Sequence, residues 1–204
     1  GELRDKINGR ILKRDGIKKY TLDADATEIV GEKADALFTY HGNKGYMPMV
    51  GYLYETAVCL DDEFREGNVA PAFGQKEFYL QCKQRMPWGK KIGYYRADSA
   101  SYQADLFNQL EEDGVTYGIT ADQDKAVKKV IGLIDQKDWK EPVPGCGHQI
   151  AETVHCMNGT KKAFRLVVKR EIRRQRDLIE GKWGAYFYHD VETNRTEELR
   201  VGKE

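Results

Sequence analysis

The stretch that most constrains the fold of this chain is YTLDADATE, residues 20–28, in which two aspartates lie inside an apolar run. Alternation along a strand separates the small and apolar residues Leu22, Ala24 and Ala26 from the polar residues Thr21, Asp23, Asp25 and Thr27. Aspartate is a poor strand residue, and a carboxylate within a strand is rarely kept for stability. The pattern therefore predicts a metal platform on the polar face, with an edge strand carrying solvated aspartates as the open alternative.

A second aspartate follows an apolar run at KIGYYRADSAS, residues 91–101. The run predicts a short strand that ends at Asp98, and a helical segment follows it. Functional residues of open α/β sheets commonly lie where a strand ends and a helix begins. The competing interpretation is that Asp98 or Ser99 only caps the helix that follows.

The two stretches together resemble the insertion-sequence transposases of the DDE superfamily. The D-A-T of residues 25–27 and the R-A-D-S of residues 96–99 carry most of the resemblance, because they have the order and separation found in that family. Four further stretches agree in order: YMPMVGY (46–52), GNV (67–69), VTYGI (115–119) and RLVVKREIR (165–173). The resemblance extends from about residue 20 to residue 191.

The resemblance implies an RNase H-like α/β fold. Hydrophobic periodicity agrees, since it predicts a lead-in helix and three antiparallel strands in residues 1–64, with residues 32–45 as a loop or the tip of a hairpin. Parallel strands alternating with helices are expected from there to residue 137. Two of these helices are predicted to carry an apolar stripe, namely Phe78, Tyr79 and Cys82 in residues 74–85 and Leu106, Phe107 and Leu110 in residues 102–112. Residues 138–204 are predicted to form a β-rich insertion, which gives two domains, 1–137 and 138–204.

The resemblance also implies a function, the cutting and joining of DNA at insertion-sequence ends by two-metal phosphoryl transfer. Asp25 and Asp98 would then be the catalytic metal ligands, with Asp23 as the alternative first ligand or a supporting group. Carboxylate oxygens suit Mg²⁺ or Mn²⁺. An RNase H-like nuclease and a non-catalytic α/β interaction domain stay open as alternatives.

The family's third carboxylate belongs to a Tyr-x2-Arg-x3-Glu-x6-Lys pattern, which this chain lacks. Four glutamates come late in the chain, none in that frame: Glu192, Glu197, Glu198 and Glu204. The third ligand is therefore expected beyond residue 204, and an N-terminal DNA-binding region is also expected outside this chain. The fragment is predicted to be inactive alone.

The charge of the chain bears on its partners. There are 33 basic and 33 acidic residues, so the chain has no overall basic footprint for DNA. A local one is predicted on alternate residues of a late strand, Arg165, Lys169 and Arg173, which would follow a phosphate backbone. The expected partner is double-stranded DNA in the bacterial cytoplasm, without a membrane. Whether copies assemble in a transposition complex stays open.

Two other groups of residues are interpreted as structural. Cys59 and Cys82 are predicted to be reduced core residues. The acidic run of residues 61–63 is expected to be a solvated strand end. A zinc site fits poorly with the spacing of the remaining thiols and imidazoles, Cys146, His148, His155 and Cys156.

Overall fold

The fold is described from a computed structural model of the chain. The structure describes residues 2–171 in full, together with the backbone of residue 172 and of residues 186–193. The chain divides into two compact units, residues 1–119 and residues 120–204. The sequence predicted the boundary between two domains after residue 137, and that boundary stays a prediction.

The N-terminal unit contains five neighbouring strands of a mixed sheet: β1 (Lys19–Ala26), β5 (Met49–Leu53), β6 (Val58–Glu63), β7 (Lys91–Ala97) and β8 (Thr116–Thr120). Across the sheet they lie in the order β6-β5-β1-β7-β8. The first three pair antiparallel, whereas β1 with β7 and β7 with β8 are parallel. The helices are α1 (Glu2–Arg14), α2 (Gln75–Arg85) and α3 (Ala104–Glu112). The predicted RNase H-like arrangement is confirmed.

The sheet forms because the buried side chains recur at the period of a strand. On β1, Tyr20, Leu22 and Ala24 are buried while the residues between them are more exposed. The helices contribute apolar stripes that were predicted from sequence: Phe78, Tyr79 and Cys82 on α2, and Leu106, Phe107 and Leu110 on α3. At Gly51 of β5 a methyl group would come within 2.9 Å of the Cys82 sulfur, so glycine permits the close approach of α2 to the sheet.

The N-terminal helix is fixed to the sheet by a buried carboxylate. Asp61 on β6 is only 1% exposed; its Oδ1 accepts a hydrogen bond from Arg4 at 2.5 Å, and its Oδ2 forms an ion pair with Arg85 at 2.6 Å. Asn8 adds a 2.8 Å hydrogen bond from its side-chain amide to the carbonyl of Cys59. The expectation of a fully solvated acidic strand end was therefore wrong for Asp61, because two arginines from other segments compensate its charge.

A small second sheet follows β1, where the sequence had predicted a loop or hairpin tip. It contains β2 (Ile29–Val30), β3 (Leu37–Phe38) and β4 (Lys44–Tyr46) in the order β2-β4-β3. At two glycines the backbone around this sheet is packed too closely for a side chain. A methyl group on Gly45 would lie 2.2 Å from the carbonyl oxygen of Ile29, and one on Gly67 would lie 2.3 Å from that of Leu37. The G-N-V stretch thus supplies the glycine that lets the connection after β6 pass against this sheet.

The C-terminal unit is rich in strands, as predicted for the insertion. It contains α4 (Lys125–Gly132) and three antiparallel strands in the order β11-β10-β9, namely β9 (His148–His155), β10 (Phe164–Ile172) and β11 (Tyr186–Thr193). Leu166 and Val168 are fully buried on one face of β10. On the same face Arg170 is buried with its guanidinium carbon 4.0 Å from the centre of the Trp139 ring.

Among the helices that the structure describes, none has both the length and the apolar content needed to cross a bilayer.

Candidate active site

The pairing of β1 with β7 determines where the predicted aspartates lie. The two strands are parallel, with Asp23 opposite Arg96 and Ala24 opposite Ala97. The pairing ends there, and Asp25 and Asp98 are the next residues along the chain, at the carboxyl ends of two neighbouring strands. Both aspartates are exposed. From the alternation of strand residues, Asp25 and Asp98 are expected on the same, open face of the sheet.

Asp98 begins the short 3₁₀ helix Ser99–Ser101, as the capping interpretation expected. Its backbone is extended, and its Oδ1 accepts a 3.0 Å hydrogen bond from the backbone N–H of Ala100. No other of the described residues donates a hydrogen bond to this carboxylate. Capping and metal binding are therefore compatible, since the cap fixes the rotamer of Asp98 and leaves lone pairs on both oxygens.

Asp25 is oriented by the threonine of the D-A-T stretch. The hydroxyl of Thr27 donates to Asp25 Oδ2 at 3.2 Å, and the backbone N–H of Thr27 donates to the carbonyl of Pro48 at 3.0 Å. The threonine therefore connects the carboxylate to a fixed point of the backbone. This contact gives a physical reason for a threonine two residues after the aspartate.

Asp23, the alternative ligand, is engaged by an arginine. Arg96 donates from Nε and Nη2 to the two carboxylate oxygens of Asp23, each at 2.6 Å. The guanidinium carbon also lies 4.4 Å from the centre of the Tyr54 ring. The hydrogen bond to Asp23 raises the pKa of Arg96, so the guanidinium stays charged. Arg96 and Tyr54 were not singled out from sequence, although Arg96 is part of the R-A-D-S stretch.

The donor set suits a hard divalent cation incompletely. Two exposed carboxylates at neighbouring strand ends offer the oxygen ligands that Mg²⁺ and Mn²⁺ prefer. Within the described part of the chain, however, histidine, cysteine and acidic side chains nowhere gather in a group of three or more that could hold a metal. Cysteines and histidines at 146, 148, 155 and 156 therefore form no such group. Asp25 and Asp98 are likewise not part of one.

The predicted DNA-binding residues have acidic partners on the described strands. Arg165 forms a bidentate ion pair with Glu152 of β9, with Nε to Oε2 at 2.7 Å, and this contact lowers the pKa of Glu152. The Nζ of Lys169 forms an ion pair with Oε1 of Glu171 at 2.6 Å. Arg173 lies outside the described residues. Sequence reasoning missed the partner of Arg165 because Glu152 becomes its neighbour only when β9 pairs with β10. Glu171, in contrast, lies two residues from Lys169 on the same strand.

A groove of about 350 Å³ lies at the opposite ends of the parallel strands. Its lining includes Lys91 and Ile92 at the start of β7, and Val115 just before β8. The aspartates lie at the carboxyl ends of β1 and β7. The groove is therefore separate from the candidate site.

The chain matches a family of known proteins. The family model described as transposase DDE domain group 1 matches residues 2–181, which is most of the chain. No curated protein matches the chain. The match covers both aspartate stretches and the strand-rich unit up to residue 181. The chain therefore belongs to the group 1 DDE-domain transposases.

Proposed function

We propose that this chain is part of a transposase that cuts DNA at the ends of an insertion sequence and joins it to a target. Membership of the DDE transposase family supports the general activity. The observation that supports the proposal is the parallel register of β1 and β7, in which Ala24 pairs with Ala97 and an aspartate follows each. An interaction domain has no need for two exposed carboxylates at the ends of neighbouring strands.

Asp25 and Asp98 are the residues proposed to hold Mg²⁺ or Mn²⁺. When bound, such ions activate the attacking water or 3′-hydroxyl and stabilise the leaving oxygen. The protein's part is to orient the two carboxylates. Thr27 orients the first, and the backbone N–H of Ala100 orients the second. A ligand fixed in this way loses less conformational entropy when a cation binds.

Double-stranded DNA is the proposed partner, and the bacterial cytoplasm is the proposed location of the protein. Arg165, Lys169 and Arg173 are proposed to contact its backbone. Since Glu152 and Glu171 pair with the first two, each must release its acid before it binds a phosphate. The resulting affinity is expected to be weak and salt-sensitive. Assembly of several copies on DNA remains part of the proposal, and light scattering with and without DNA measures it.

The chain of 204 residues is proposed to bind metal without cutting DNA. Phosphoryl transfer needs the second ion held in position, and the described residues contain no group of three side chains that could hold a metal at Asp25 and Asp98. If the isolated chain cleaves DNA and Asp25→Ala abolishes the cleavage, this part of the proposal is wrong. The glutamates to substitute next would be Glu152, Glu171 and Glu197.

The test is a strand-cleavage assay on DNA carrying the element ends, with Mn²⁺ and the protein encoded by the complete gene. Asp25→Asn and Asp98→Asn are each expected to lower cleavage by about a thousandfold or more, because ligands of one site act as a unit. Asp135→Asn is the matched control, since the Asp135 side chain is 68% exposed on the surface of the other unit.

Three results would contradict the proposal. Cleavage that survives both substitutions would mean that the site lies elsewhere. Cleavage of an RNA–DNA hybrid with intact element ends would favour the RNase H-like nuclease. Absence of any metal-dependent activity on nucleic acid would favour the interaction domain.

A further inference from the structure

Three carboxylates share the open face of β1 and β7, although the proposed site uses two of them. Asp23 and Asp25 are two residues apart on β1 and therefore point the same way. Asp98 continues the register on the neighbouring strand. By chemistry and facing alone, Asp23 is as suitable a ligand as Asp25. The two aspartates differ in the hydrogen-bond partners of their carboxylates.

Arg96 holds Asp23 in a fixed geometry. Two parallel N–H···O contacts of 2.6 Å use both oxygens of Asp23, which is the strongest pairing that an arginine makes with a carboxylate. Tyr54 stacks on the guanidinium and limits its rotation. By contrast, within the described part of the chain the Asp25 carboxylate accepts one hydrogen bond, from the neutral hydroxyl of Thr27 at 3.2 Å. Asp25 is thus ready to bind a cation, whereas Asp23 would first have to break a bidentate ion pair.

We propose that Arg96 is a positioning residue that withholds Asp23 from the divalent cation, so that Asp25 and Asp98 alone hold it on this face. The inference rests on the proposed function of these two aspartates. Without the guanidinium, Asp23 would lose the positive charge that its carboxylate pairs with. Cation affinity would rise with the ligand charge, and the ion would shift toward Asp23 and away from the strand ends.

The experiment measures Mn²⁺ affinity of the chain by electron paramagnetic resonance of the free ion. Arg96→Gln is expected to bind Mn²⁺ roughly tenfold more tightly than the wild type, since it frees a third carboxylate. Combining it with Asp23→Asn is expected to return the affinity to the wild-type value. Arg96→Lys is expected to lie between, because lysine keeps the charge and loses the planar fork. A merely structural role for Arg96 would not produce tighter binding that Asp23→Asn reverses.

A second variant keeps the test independent of how well the arginine variants fold. Asp23→Asn alone is expected to change the Mn²⁺ affinity less than about threefold, because Asp23 is not a ligand in the wild type. Asp25→Asn is expected to abolish saturable binding. If Asp23→Asn weakens binding as much as Asp25→Asn does, Asp23 is a ligand and the inference is wrong.

The failure of the inference is distinguishable from the failure of the proposed function. If the wild type binds Mn²⁺ in an Asp25-dependent way and Arg96→Gln leaves the affinity unchanged or lower, only the role of Arg96 is overturned. If Asp25→Asn and Asp98→Asn leave Mn²⁺ binding intact, both are overturned.

Discussion

Ala24 of β1 and Ala97 of β7 face each other on parallel strands, and each is followed by an aspartate. The pairing is what turns two distant stretches of sequence into neighbouring carboxylates. The strands must be parallel for this, because an antiparallel pair would bring the carboxyl end of one to the amino end of the other. The site therefore depends on the register of β1 and β7 as much as on the identity of Asp25 and Asp98.

The buried carboxylate under the N-terminal helix provides a stability prediction. Asp61→Asn keeps the shape and removes the charge that compensates Arg4 and Arg85. The free energy of unfolding is expected to fall by about 3 kcal/mol, since removing one member of a buried ion pair is strongly destabilising. Urea unfolding monitored by circular dichroism measures the change.

The neighbouring Asp62→Asn is the matched control, because Asp62 forms an ion pair with the same Arg4 but its side chain is 55% exposed. Its effect is expected to stay below about 1 kcal/mol. Equal effects of the two substitutions would show that the position of Asp61 in the interior has no energetic consequence.

The close passage at Gly67 provides a second prediction. In Gly67→Ala the new methyl group would meet the carbonyl oxygens of Leu37 at 2.3 Å and of Gly45 at 2.4 Å. These are backbone atoms, so the small sheet has to shift, with an expected loss of about 2 kcal/mol or more. Limited proteolysis is expected to cut first within residues 29–46.

Gly9→Ala is the control for this prediction. A methyl group at Gly9 of α1 meets nothing within 4 Å. Alanine there is expected to stabilise the protein by about 0.5–1 kcal/mol, since glycine is unfavourable within a helix. If both alanines stabilise, the small sheet is not packed as described.

His155 provides a prediction about pH. Burial lowers the pKa of His155 below its ordinary value of 6.5, and the charge of Asp124 only partly opposes this. The unfolded chain therefore binds a proton that the folded one does not. Stability from this group is complete above pH 6.5 and is lost as the pH falls toward the depressed folded pKa. His155→Phe, beside Phe164, is expected to flatten the fall of the thermal midpoint between about pH 8 and pH 5. An unchanged slope in the variant would assign the fall to other groups.

The elements that sequence predicted correctly are those whose signal is local. Alternation on β1, the apolar stripes of α2 and α3, and the D-A-T and R-A-D-S stretches each lie within a dozen residues. The small sheet was missed because β2 and β3 have two residues each, too few to show a period. The burial of Asp61 was missed because its partner Arg4 is 57 residues away.

Charge pairing across strands was the other feature beyond sequence. The Arg96–Asp23 and Arg165–Glu152 contacts depend on which strands are neighbours and on their register. Either arginine looks like an unpaired basic residue until the sheet is known. Sequence therefore identified which aspartates to examine, and the sheet identified what distinguishes Asp23 from Asp25.

The most direct test of the central claim, that Asp25 and Asp98 share a cation, is a double-mutant cycle of Mn²⁺ affinity measured by calorimetry. If the two carboxylates hold one ion, Asp25→Asn and Asp98→Asn each remove most of the binding and the double variant is little worse than either. If the losses simply add, or if either substitution leaves the affinity unchanged, the carboxylates do not share an ion and the account is contradicted.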